Sequence, residues 1–168
     1  MVKRINKAKR KAGVSDMPNI YLLHGDLTQK ELNYLYNHDK VKAHISFTKG
    51  EGFGRPLLEA SLSGKPVIAS NWSGHVDFLK HSIMLPGKLA NVDKSAAWKD
   101  VIIPESSWFT VNYIYASKIM KEVFKNYGKY TKEANKQAAF SSKNFSIELM
   151  KEKFSEIISK HVVEEVDV

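Results

Sequence analysis

The sequence predicts an α/β domain: a parallel sheet of about four strands flanked by helices, followed by a helical C-terminal extension. Three observations carry this. Short apolar runs of strand length stand at 19–24 (NIYLLH), 41–47 (VKAHISF), 66–70 (PVIAS) and 83–85 (IML). Helix-forming stretches stand before and between the first three of them, and alternation of that kind implies parallel strands with right-handed crossovers. Beyond Pro104 the pattern turns helical, over about 110–127, about 131–142 and from Ser146 onward. At 168 residues the chain is long enough for one domain with a real core. It is taken as a single domain, 1–168, with an α/β part over 1–104 and a helical part over 105–168.

Each element has its own local reason. Residues 2–12 form a basic helix. The run 19–24 is bounded by Pro18 and Gly25, as a short buried strand would be. Thr28 and Glu31 make a capping box, with the Thr hydroxyl receiving an amide from the first turn and the Glu reaching back to the cap amide. The helix it starts runs to about His38, with Leu32, Leu35 and Tyr36 on one face. After the strand at 41–47, Pro56 suits the first position of a helix, where a missing amide costs nothing. Gly64 stops that helix, because a left-handed C-terminal turn favours glycine. In the last helix Ile147, Met150, Phe154, Ile157 and His161 recur at helical spacing. Trp98 and Trp108 are expected as core anchors of the extension.

Composition narrows the function classes. The chain is 43% hydrophobic and 26% charged, as a globular protein is. No apolar run approaches the roughly 18 to 20 residues that a membrane span needs. The basic start leads into no apolar segment and does not read as a secretory signal. With no cysteine there is neither a disulfide framework nor thiolate chemistry, and a cytoplasmic location is the default expectation. The six histidines show no metal-ligand spacing, so no metal site is expected.

The net charge is +8, but Lys3, Arg4, Lys7, Lys9, Arg10 and Lys11 supply six positive charges before the first acid, Asp16. The basicity is one segment. It reads as the solvated face of a terminal helix, with attraction to phosphate or a membrane surface through residues 3–11 open beside it. The aromatic-and-basic motifs of RNA-binding sheets are absent, and no nucleic-acid partner is expected.

The stretch that carries chemistry is TKGEGFGRPLLEASLSGKPVIASN, residues 48–71. Its glycine loop follows a parallel strand and opens a helix, the place where open α/β sheets bind ligands. Gly50, Gly52 and Gly54 allow close backbone approach and positive φ. Free amides and the helix dipole there favour an anionic group such as a diphosphate. Glu51 on the loop and Glu59 about one turn into the helix add pure acceptors, which want donors such as hydroxyls. A ligand with an anionic middle and hydroxyls at both ends fits that layout, and a nucleoside diphosphate sugar is one. From spacing alone, Glu59 serves equally well as a first-turn acid complementing the dipole. GEGFGR is not the G-x-G-x-x-G fingerprint of dinucleotide folds, since Arg55 stands where its last glycine would be, and no P-loop occurs.

The run GEGFGRPLLEASLSGKPVIAS closely resembles the donor-binding signature of retaining glycosyltransferases with the GT-B fold, the group that includes sucrose synthases. Glu51, Gly52, Phe53, Gly54, Pro56, Glu59, Ala60, Gly64, Pro66 and Val67 all match it. NIYLLHGDLTQKELNYLY resembles the strand and helix before the signature, and NWSGHVDFL the turn after it, so the likeness covers about residues 15–85. It implies a Rossmann-like sheet and a nucleoside diphosphate sugar as the donor substrate, without cofactor or metal. It also implies residue roles. Glu51 would be the catalytic-site carboxylate on the donor sugar, Phe53 and Gly54 would offer backbone amides to the sugar and diphosphate, and Gly52 belongs to the same loop. Glu59 would hold the ribose.

The chain departs from the family pattern where the family holds its diphosphate. The family's Arg and Lys after the first strand of this domain have no counterpart, and Lys49 and Arg55 occupy other positions. An N-terminal acceptor domain and about two strands are expected to be absent. The isolated chain is therefore expected to be inactive alone, and to associate as a homo-oligomer or with a missing N-terminal domain. A non-catalytic nucleotide-sugar-binding module is the alternative reading. Trp72 and His75, on the turn after the third strand, would either touch a sugar or take a packing or exposed role.

Overall fold

A computed structural model describes residues 2–13 and 17–162. The chain divides into two units, Met1–Leu32 and Asn33–Val168.

The first unit holds helix α1 (Val2–Ala12), which has no acid in its first turn and no buried residue. Its expected bounds are those observed. The predicted strand at 19–24 does not form. Ile20, Tyr21, Leu22 and Leu23 are exposed, and no backbone hydrogen bond among the described residues involves this run. A lone extended segment cannot satisfy its own amides and carbonyls, which need a neighbouring strand. Apolar composition supplied the propensity but no partner. The capping box is present: Thr28 N donates to Glu31 Oε2 at 2.8 Å and Glu31 N to Thr28 Oγ1 at 3.2 Å. It starts α2 (Gln29–Asn37), whose second half belongs to the second unit.

The second unit is built on a three-stranded parallel sheet. β1 (His44–Ser46), β2 (Val67–Ser70) and β3 (Ile83–Leu85) lie in that order, with His44 opposite Val67 and Ile68 opposite Ile83. β2 is buried throughout because strand side chains alternate between two covered faces. Val67 and Ala69 join Leu57, Ala60, Phe78 and Leu79 on one side. Ile68 joins Leu85, Phe109, Val111, Ala116 and Val123 on the other. The crossover between β1 and β2 contains α3 (Arg55–Ser61), with Pro56 in its first turn as expected and Gly64 at φ +67 beyond its end.

The expectation of helix alone beyond Pro104 is corrected. β5 (Ser107–Val111) pairs antiparallel with β4 (Gly87–Asn91), from Gly87 opposite Val111 to Asn91 opposite Ser107. Phe109 and Val111 face inward at 6% and 4% exposure, while Ser107 is exposed, so the short alternating run SWFTV is an amphipathic strand. Trp98 is no core anchor. It is 67% exposed in a tight turn closed on Ile102. Trp108 is half-buried under the Lys49 ammonium.

Helices α4 (Tyr113–Lys125), α5 (Tyr127–Asn144) and α6 (Ile147–His161) complete the chain. Asn112 caps α4 through its side chain and Ser146 caps α6. α5 is fastened by buried polar contacts, Ser61 Oγ to Ser141 Oγ at 2.8 Å and Gln137 Nε2 to the Phe78 carbonyl at 2.7 Å. α6 buries no residue, and its stripe of Ile147, Met150, Phe154 and Ile157 is exposed.

Candidate functional site

The glycine loop lies at the carboxyl end of β1 and leads into α3, as its sequence position requires. Of its three glycines, Gly54 alone has positive φ, +89, and stands just before the helix. A Cβ on Gly54 would meet the Cβ of His75 at 2.9 Å, so this position admits no side chain without displacement. The closest approach involves a fourth glycine. Gly74, on the turn after β2, faces the loop so tightly that a Cβ there would lie 2.0 Å from the Gly52 carbonyl oxygen.

Hydrogen bonds fix that approach. Gly74 N donates to the Glu51 carbonyl at 3.0 Å. Ser73 Oγ accepts from Glu51 N at 3.0 Å and donates to the Glu51 carbonyl at 2.5 Å. The amides of Gly52, Phe53 and Gly54 make no hydrogen bond among the described residues. Three consecutive free N–H groups beside a helix start are suited to accept an anionic or oxygen-rich ligand. Phe53 anchors the loop through its ring, 5.1 Å from that of Phe78 and 6.2 Å from that of Phe145.

The two carboxylates differ in their surroundings. Glu51 lines a cleft of about 470 Å³ with Ser46, Pro56, Leu57, Ala60 and Tyr36. Its carboxylate has no hydrogen bond or ion pair among the described residues, so both oxygens are free acceptors. Glu59 is held by Arg55, whose Nε lies 2.6 Å from Oε1. Glu59 stands beyond the first turn of α3, which holds no acid, and its bond to Arg55 leaves Oε2 as its open acceptor. Tyr36 reports the proximity: burial raises its phenol above the ordinary value, and the charge of Glu59 adds to that.

The positive groups near the loop are engaged. Lys49 Nζ donates to Thr110 Oγ1 at 3.2 Å and sits 5.3 Å above the Trp108 ring, so β5 holds this lysine. Trp72 stacks on Phe109, centroids 5.7 Å apart and planes 2° from parallel, and keeps an exposed face. His75 is buried and donates from Nε2 to the Ser70 carbonyl at 2.6 Å, so of its two expected roles it takes the packing one. Ser73 has one signal in the sequence, its place beside the glycine of the turn after β2.

Fold and site together define an α/β domain that presents a glycine loop with Glu51 at a strand end and Glu59 on the helix that follows. The profile of the family described as "Glycosyl transferases group 1" matches residues 3–103. The chain belongs to that family. A search of solved structures finds the Anabaena protein Alr3699/HepE, in complex with UDP and glucose, at a TM-score of 0.63 and 16% identity. The match covers 95% of this chain and 36% of HepE, so the chain spans about a third of that protein. It is a likeness of fold, and the architecture is that of a Rossmann-like unit of the GT-B type. A comparison with curated proteins finds no match.

Among the described residues no helix is long and apolar enough to cross a membrane.

Proposed function

We propose that the chain is a donor-binding domain that holds a nucleoside diphosphate sugar for transfer of the sugar to an acceptor hydroxyl. The observation that carries this is the free carboxylate of Glu51, on a loop that follows the carboxyl end of β1 and presents three unengaged amides. Glu51 accepts hydroxyls of the sugar near its reacting carbon. The amides of Phe53 and Gly54 donate to the sugar and diphosphate, and Gly52 lets the ligand approach the backbone. Glu59 accepts the ribose hydroxyls through Oε2.

Transfer breaks the bond between the anomeric carbon and the diphosphate oxygen and forms one to the acceptor oxygen, whose proton passes to the departing diphosphate, with the configuration retained. Protein N–H groups rather than a metal stabilise the departing diphosphate in this reading. Family membership and the HepE likeness, whose printed ligands are UDP and glucose, make UDP-glucose the first donor to try.

Acceptor chemistry is assigned to a further domain or a second copy. The outer edge of β1 carries no strand in the three-stranded sheet, and Ile45 on it is exposed, features that association relieves. Residues 1–168 act as one functional domain in this account, in the cytoplasm. Calorimetric titration with UDP-, ADP- and GDP-glucose tests the reading: saturable one-site binding of at least one supports it, and no binding of any overturns it.

A further inference from the structure

We propose that Ser73 is the positioning residue of the donor site, a hydroxyl that locks the backbone of Glu51 so that its carboxylate meets the donor sugar. The proposal rests on the donor-binding reading above and adds a residue to it.

The hydroxyl serves one residue from both sides. Ser73 Oγ accepts from Glu51 N at 3.0 Å and donates to the Glu51 carbonyl at 2.5 Å, across 22 positions of sequence. A hydroxyl has one proton and lone pairs to spare, so a single oxygen satisfies both polar groups of the peptide flanks of Glu51. Gly74 N reinforces the same carbonyl at 3.0 Å. Both backbone groups of Glu51 are thus fixed, while its carboxylate makes no bond of its own among the described residues. Where that carboxylate stands is decided by the clasp on its backbone.

Ser73 holds this place in a costly conformation. Its φ of 79° and ψ of −169° belong to a region that residues with a Cβ avoid. Glycine would adopt that backbone freely, yet it would bring no oxygen to Glu51. The position therefore combines backbone strain with a hydroxyl whose two bonds both go to the loop. Strain of this kind persists where surrounding contacts over-determine it, and sites of ligand capture are where it collects.

The consequence is selective. Glu51 is assigned to the sugar and Glu59, on α3, to the ribose, while the amides that follow Glu51 keep a second anchor in the Phe53 ring against Phe78 and Phe145, so loss of the Ser73 hydroxyl should weaken the grip on the sugar more than that on the nucleotide. The test uses the full chain, with the best binder among UDP-, ADP- and GDP-glucose and its sugar-free nucleoside diphosphate as probes. Ser73→Ala removes the hydroxyl and keeps the strain, whereas Ser73→Gly removes both. Both variants should bind the nucleotide sugar about tenfold more weakly and the bare diphosphate within about twofold of the parent. Their melting temperatures should differ, with the Gly variant above the Ala variant, while their losses in sugar affinity agree. The Glu51 amide should also exchange its hydrogen faster in both.

Equal weakening for the two probes, or sugar affinities that track melting temperature, would reduce Ser73 to a structural residue and overturn the assignment. So would unchanged affinity for the nucleotide sugar. A parent chain that binds neither probe would instead overturn the donor reading, and this assignment with it.

Discussion

Arg55 Nε lies 2.6 Å from Glu59 Oε1, one turn along α3, with 68% of the arginine side chain exposed and 27% of the glutamate. The bond occupies one carboxylate oxygen and leaves the other for a ligand. Exposed pairs of this kind contribute little to stability, so the value of the contact is in where it aims Glu59. Arg55→Ala should leave the urea midpoint unchanged and lower donor affinity by less than about fivefold. Glu59→Ala, which removes a charged acceptor, should lower it by about tenfold or more. Calorimetry on the two variants checks the order, and an arginine effect larger than the glutamate effect would contradict it.

Gly74→Ala should be among the most damaging substitutions on the surface of the site. Its Cβ would fall 2.0 Å from the Gly52 oxygen and 3.1 Å from that of Glu51, and both are backbone atoms that cannot rotate away. Overpacking of this sort costs about 1 to 3 kcal/mol and sometimes more. Equilibrium urea unfolding should show a loss at the upper end of that range, together with loss of donor binding. A stable, binding-competent variant would mean that the turn after β2 does not brace the loop.

Gln137 offers a test remote from the ligand. At 1% exposure it donates to the Phe78 carbonyl at 2.7 Å and to Ser141 Oγ at 2.9 Å, and accepts from His81 N at 2.7 Å. Gln137→Leu keeps the bulk but leaves the His81 amide without its acceptor, at about 1 to 3 kcal/mol, while the Phe78 carbonyl keeps the Lys80 amide at 3.0 Å. The urea midpoint should fall with an unchanged slope. No shift would show that water replaces the amide.

His44 gives the fold a pH dependence with a defined sign. Burial, and next the charge of Lys65, hold its imidazole below the ordinary value near 6.5. The folded chain then binds fewer protons than the unfolded one between the two values. Stability is full above the unfolded value and is lost as pH falls through that window. The urea midpoint should drop as pH falls below about 6.5, and His44→Gln should flatten the drop. A parent curve as flat as that of the variant would contradict the burial.

What the sequence revealed followed from local chemistry. The capping box at Thr28 and Glu31 and the proline at the start of α3 depend on neighbours within a few residues, and the three observed parallel strands stand out as short apolar runs; all appear in the structure. Pairing across distance was less legible. Residues 19–24 have strand composition, but a strand needs a ladder partner that composition does not announce. The run 107–111 lies beside a helical pattern and was hidden by it, although its alternation of exposed and buried residues is plain once β4 is opposite. In the site, glycines and carboxylates stand out by type and spacing. Ser73 does not, because its role depends on a φ of 79° and a contact 22 residues away.

The most direct test of the account is a parallel titration of UDP-glucose and UDP into the full chain, Glu51→Ala and Glu59→Ala, with ADP- and GDP-glucose substituted if UDP-glucose does not bind. The parent should bind the nucleotide sugar more tightly than the bare diphosphate. Glu51→Ala should erase that difference while leaving the diphosphate bound, and Glu59→Ala should weaken both by about tenfold. Indistinguishable affinities for all three proteins, or a Glu59 effect confined to the sugar, would contradict a donor gripped at its two ends by these carboxylates.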